Sequence, residues 1–253
     1  MSRLCNLFFP TVVLLSVLLC GVAATAEQVD FETMAKDAKE CGISSVSVDI
    51  LETAVHDGKL SGGDAGRLLG RLVEVCSEKL PAFPFEEKMA EGLAKRVAPA
   101  AVERVLAAKL EDYRDAKRIL TEAGKGDDTS LLVIAGEGLS NGVSTSELRA
   151  FASARGENDE KEFLVGMEML CLLRQAGFDA ALVNDTLDTG FESGSLSPEW
   201  RYFIRVALVA RERGVDNASI MKAARQVLAS GGVPGDVSIR LGFTSRNIGR
   251  RVN

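Results

Sequence analysis

The sequence predicts an all-α protein: an irregular array of helical hairpins, α-solenoid-like or a multi-helix bundle, with an extended C-terminal tail. Three observations predict it. Apolar residues recur at three- and four-residue spacing after residue 30, alternating runs are nearly absent before the tail, and one short helix-stop, helix-start device returns along the chain.

The first 26 residues carry one positive charge, Arg3, an apolar run from Leu7 to Leu19, and the small-residue site Ala24-Thr25-Ala26 before Glu27. This is the layout of a secretory signal peptide, so residues 1–26 are expected to be removed and the remainder exported, to a periplasm or to the medium. The apolar run is shorter than the roughly 20 residues of a spanning helix, so no stable membrane insertion is expected after cleavage.

From residue 27 onward the chain carries 29 Lys and Arg against 36 Asp and Glu, a net of −7, which argues against nucleic acid as a partner. Three cysteines remain there: Cys41, Cys76 and Cys171. In an exported protein two of them can pair, with Cys41 and Cys76 the nearest in sequence. The alternative, three buried thiols, is favoured by position. Cys76 extends the row Leu69, Leu72, Cys76, Leu80, and Cys171 follows Phe163, Leu164, Met167 and Leu170, both of them helical core faces.

Residues 27–123 are expected to form an N-terminal helical bundle, with Val102, Val105, Leu106, Leu110, Tyr113 and Leu120 as one buried stripe. The polar stretch Gly124 to Ser130 breaks the periodicity and marks the candidate boundary. Residues 131–231 are expected to be helical-hairpin repeats, with stripes at Trp200, Phe203, Ile204, Ala207, Leu208 and at Ile220, Met221, Ala224, Val227, Leu228.

The joints between helices share a pattern: Gly42-Ile43-Ser44, Gly142-Val143-Ser144, Gly177-Phe178-Asp179 and Gly214-Val215-Asp216. A glycine ends one helix in the left-handed conformation, and Ser or Asp two residues later caps the next. The apolar residue between them faces Val48, Leu148, Val183 or Ile220 in the following helix, a hydrophobic staple. Arg96-Val97-Ala98 before Pro99 is a degenerate fifth copy. Joint spacings of 54, 46, 35 and 37 residues lie near the period of two-helix repeats. Two longer echoes support the repeat: EGLAKRVAP, Glu91 to Pro99, with EGLSNGVST, Glu137 to Thr145, and LETAVHDGKLS, Leu51 to Ser61, with LDTGFESGSLS, Leu187 to Ser197.

The segment FPFEEKMAEGLAKRVAPAAVERVLAAKLEDYRDAKRIL, Phe83 to Leu120, resembles stretches in exported, all-helical bacterial proteins of unassigned function. The resemblance implies the fold and the compartment and no activity.

Several residues invite a chemical role. Gly138-Leu139-Ser140-Asn141-Gly142 fits the pattern of a hydrolase nucleophile elbow, but the elbow needs a preceding strand and a later histidine. Ser140 follows a helical run and the single histidine, His56, lies upstream, so Ser140 reads as a last-turn helix residue. His56 with Asp57 is matched by Glu192 in the echo, which points to a solvated helix end. Glu192-Ser193 resembles the Glu-Ser pair of lytic transglycosylases, which implies a protonated glutamate acting on glycosidic bonds. The glycine-rich segment that follows in that family is absent, and Ser197-Pro198 open a helix instead.

The tail, residues 232–253, changes pattern. Val237, Ile239, Leu241 and Phe243 alternate with Ser238, Arg240, Gly242 and Thr244, a strand-type period expected to be extended or disordered. Arg240, Arg246, Arg250 and Arg251 against Asp236 make it +3, while residues 27–231 carry 25 positive and 35 negative charges, a net of −10. Val237, Ile239, Arg240, Leu241, Phe243, Arg250 and Arg251 are therefore the expected binding residues for a protein partner or a second copy. No cofactor, metal or catalytic residue is expected. The function expected is an exported, non-catalytic scaffold, with a cell-wall-cleaving enzyme using Glu192, or a small-molecule binder between helices, as alternatives.

Overall fold

The computed structural model describes residues 31–243. The expected signal peptide, and Arg246, Arg250 and Arg251 of the tail, lie outside the described residues. Among the described residues are twelve α-helices, one 3₁₀ helix (Pro198–Tyr202) and no strand. The helices are α1 (Phe31–Cys41), α2 (Ser45–His56), α3 (Gly62–Ser77), α4 (Phe83–Ala94), α5 (Pro99–Glu122) and α6 (Thr129–Ser140). They continue as α7 (Thr145–Arg155), α8 (Glu160–Gln175), α9 (Ala180–Glu192), α10 (Phe203–Glu212), α11 (Asn217–Ala229) and α12 (Pro234–Arg240).

Packing follows chain order. α1 lies on α3, α3 on α5, α5 on α6, α6 on α8, α8 on α9, α9 on α11 and α11 on α12. No substantial packing joins α1–α4 to α8–α12, so the array is open and has two distinct ends. One apolar core runs from Ala35 to Val237. The polar break is the turn between α5 and α6, where Asp128 accepts a hydrogen bond from Leu131 N at 2.9 Å and caps α6; the core is continuous across it.

The joints take the expected form. Gly42, Gly142, Gly177 and Gly214 have φ between 82 and 98°. At Gly142 the positive φ lets Val143 N donate to Gly138 O and Gly142 N to Leu139 O, each at 3.0 Å, which satisfies two of the carbonyls that a helix end exposes. Ser144 then caps α7 in a reciprocal box with Glu147. Val143 is buried, as is its staple partner Leu148. In the degenerate copy Arg96 itself takes φ 56° and Ala98 makes no capping bond, Pro99 opening α5. Ser197 stands at the N-cap of the 3₁₀ helix without a side-chain capping bond.

Two expectations are corrected. Cys41 and Cys76 form a disulfide with 6.0 Å between their Cα atoms, where three buried thiols were favoured. The reason is tertiary: α3 lies parallel to α1, with Met34 beside Gly70 and the two C-terminal turns side by side. Cys171 is a free, buried thiol as expected.

The tail is helical, not extended, as far as residue 240. Pro234 starts α12 with a φ already suited to a helix, and Asp236 Oδ2 accepts from Val233 N at 3.0 Å. Phe243 N donates to Ser238 O at 2.8 Å and closes the helix at Gly242. Over so short a run, contact decides: Val237 is fully buried and anchors the segment on the array.

Candidate functional site

Among the described residues Lys109 is the only buried charged side chain, at 5 % exposure. It sits on the α5 stripe between Leu106 and Tyr113, while Val105, expected in that stripe, is 48 % exposed. The other five expected residues, Val102, Leu106, Leu110, Tyr113 and Leu120, are buried, and Lys109 joins them where Val105 does not, since the row 102, 106, 109, 110, 113 keeps the same three- and four-residue rhythm. A lysine on that row is a sequence signal of a buried charge, and Lys109 stands outside the binding residues expected from the sequence.

The ammonium of Lys109 pairs with Glu137 Oε1, from α6. Tyr113, one turn along α5, donates its hydroxyl to the same oxygen at 2.7 Å. Lys109 Nζ also lies 5.7 Å from the ring centre of Phe85 and 5.6 Å from that of Tyr113, an aromatic setting that favours a cation. Phe85 meets Tyr113 edge to face at 4.9 Å. Burial, reinforced by the Glu137 carboxylate, pushes the Tyr113 phenol far above its usual range. It is therefore a permanent donor, and Glu137 is held from behind by two donors.

In front of Glu137 lies a groove of about 650 Å³ between α4 and α6, floored by Pro84, Ala90 and Val133 and rimmed by Phe83, Glu87 and Glu91. Phe83 is 62 % exposed there. Hydrogen bonds from Lys88 and then Lys95 hold the Glu91 carboxyl down to about 2. Glu91 and Glu137, which lead the similar segments EGLAKRVAP and EGLSNGVST, both line this groove. Lys88 and Lys109 line the groove as well and pair with Glu91 and Glu137, so the arrangement sets three carboxylates, two of them ion-paired, beside apolar Pro84, Ala90 and Val133.

The residues considered for catalysis lie elsewhere. Ser140 is the last residue of α6 and donates to Asp112 Oδ2 at 2.9 Å. Burial raises the Asp112 carboxyl and the Ser140 bond partly offsets it. Gly138 packs against Cys171, which accounts for its missing side chain without any elbow. The His56 side chain is 89 % exposed at the end of α2, with Nδ1 3.6 Å from Asp57 Oδ1. Glu192 is exposed as the last residue of α9 and is not enclosed in an apolar cleft. Among the described residues no group of three or more His, Cys, Asp or Glu is placed to hold a metal ion.

The tail residues divide. Val237 is buried, and Leu241 and Phe243 pack partly against the core. Arg213 stacks over Phe243, 4.9 Å from its ring centre. Ile239 is 71 % exposed, and Arg240 donates to Gln226 Oε1 at 3.1 Å. Arg250 and Arg251 lie outside the described residues. No described helix is long and apolar enough to cross a membrane. Compared with known proteins, the chain matches no family model, no curated sequence and no solved structure.

Proposed function

We propose that this chain is an exported, non-catalytic helical-repeat scaffold that binds a protein partner in the groove between α4 and α6. Export is supported by the signal-peptide layout of residues 1–26 and by the Cys41–Cys76 disulfide, since such bonds persist in oxidising compartments. The observation that carries the binding reading is Phe83, a large apolar side chain 62 % exposed at the rim of a preformed groove. Behind it stands the Lys109–Glu137 pair, its ammonium buried and its carboxylate partly exposed. An apolar pair of similar volume would stabilise a core as well or better, so such a pair earns its place through positioning.

The groove suits a segment that presents an apolar side chain next to a basic one, the first for Pro84, Ala90 and Val133, the second for Glu87. The test is capture from an envelope extract by the purified protein and by its Phe83→Asp variant, followed by titration with the purified partner. One saturable partner, retained by the wild type and lost by the variant while the helical circular dichroism is unchanged, is expected. Equal capture by both proteins, or cleavage of cell-wall glycan by the wild type, would overturn the reading.

A further inference from the structure

We propose that the molecule associates head to tail with a second copy of itself, the basic α10–α12 end of one chain seating on the acidic α1–α2 end of the next. This rests on the scaffold reading above but uses different surfaces. In an open array only the two end helices lack a neighbour on one side, and repeat proteins that stay monomeric give those ends a polar outer face. Among the described residues the last helix sets one large apolar side chain on that face between the charged Asp236 and Arg240. Val237 of α12 is fully buried, while Ile239, about 200° further round the helix, points away from the array at 71 % exposure. Tyr202, next to α10, is 52 % exposed and carries the Arg205 guanidinium 5.1 Å from its ring centre.

The opposite end carries a groove. Between α1 and α2 lies a groove of about 370 Å³, floored by Phe31 and Ala35, in which Glu32, Glu40 and Glu52 outnumber Lys36 and Lys39. The charges match. Residues 31–60 carry six acidic and three basic side chains, a net of −3, whereas residues 198–243 carry seven basic and four acidic ones, a net of +3 that falls to +1 once the pairs of Arg201 with Glu168 and Arg225 with Asp185 are set aside. Like ends repel and unlike ends attract, so a symmetric pairing of two α12 faces is disfavoured and a heterologous one is favoured. Ile239 is the apolar plug and Arg240 the cation beside it. Two end faces bury little area, so the contact is weak and sensitive to salt.

The experiment is sedimentation equilibrium on the protein purified from cells expressing the full chain. At low salt the average mass should rise with concentration, and at roughly 0.5 M NaCl, where charges are screened within a few ångströms, it should return to the monomer. Ile239→Asp, and separately Glu40→Arg with Glu52→Arg, should each be monomeric under low salt with unchanged helical content. Mixed one to one, the two variants should form a dimer and nothing larger, because one sound head meets one sound tail. A wild type that is monomeric throughout, a salt-insensitive mass, association surviving in either variant, or a mixture that stays monomeric would each overturn the proposal. None of these substitutions touches the α4–α6 groove, so partner capture there stands or falls separately.

Discussion

Arg96 and Gly142 take the same left-handed backbone conformation, φ 56° and 98°, at matching positions of the echoes EGLAKRVAP and EGLSNGVST. The same hydrogen bond follows each: Val97 N donates to Gly92 O at 2.9 Å and Val143 N to Gly138 O at 3.0 Å. An L side chain in this region is strained by about 1 kcal/mol relative to glycine. Arg96→Gly is expected to stabilise the fold by up to about 1 kcal/mol, a rise of about 2–4 °C in Tm for a chain of this size. Gly214→Val, at φ 84°, is expected to lower stability by about 1 kcal/mol or more. Thermal denaturation of both variants checks the pair of opposite signs.

Gly138 has no room for a side chain, because a Cβ there would run into the sulfur of Cys171 on α8. Gly138→Ala should therefore cost about 1–3 kcal/mol through overpacking. Cys171→Ala removes the obstructing sulfur, so the double variant should recover a large part of that loss. Urea titrations of the single and double variants measure the coupling, and purely additive effects would show that the two residues do not meet.

Burial, aided by Glu168, pushes the Cys171 thiol up to about 12. It should not react with thiol reagents at pH 8 in the folded protein, since the thiolate is the reactive form. Unfolded without reductant, residues 27–253 should yield one reactive thiol, and after reduction three. Because the folded pKa lies above the ordinary value, the thiol's contribution to stability is complete below about pH 9 and is lost as pH rises towards 12. The alkaline decline should be shallower in Cys171→Ala. Reduction of the Cys41–Cys76 bond, which closes a separation of 35 residues, should cost about 3–4 kcal/mol.

Removing the Glu137 carboxylate strands the Lys109 ammonium at 5 % exposure. Glu137→Leu is expected to destabilise by about 3 kcal/mol, and Lys109→Met with Glu137→Leu much less, because the second change withdraws the unpaired charge. Denaturant melts of the single and double variants decide it. A double variant as unstable as Glu137→Leu alone would mean that the charge pair is not what the cost reflects.

The sequence by itself determined the helices and their joints. Stops such as Gly142 and starts such as Ser144 work through backbone bonds within a few residues, so their signals are local and survive without the rest of the fold. The exposed position of His56 was legible for the same reason, as the end of a helix matched by Glu192 in the echo. Tertiary structure decided what depends on which faces meet. The period-two pattern at Val237–Phe243 was too short to distinguish strand from helix, and burial of Val237 chose the helix. Cys41 and Cys76 pair because α1 and α3 run side by side, which no spacing encodes. The groove in front of Glu137 needs α4, α5 and α6 together: the expected α5 stripe is buried apart from Val105, and contact with Phe85 and Glu137 is what gives Lys109 a buried place at its edge. Local hydrogen bonding sets where a helix begins and ends; the side it buries is set by the neighbours whose apolar surface it covers.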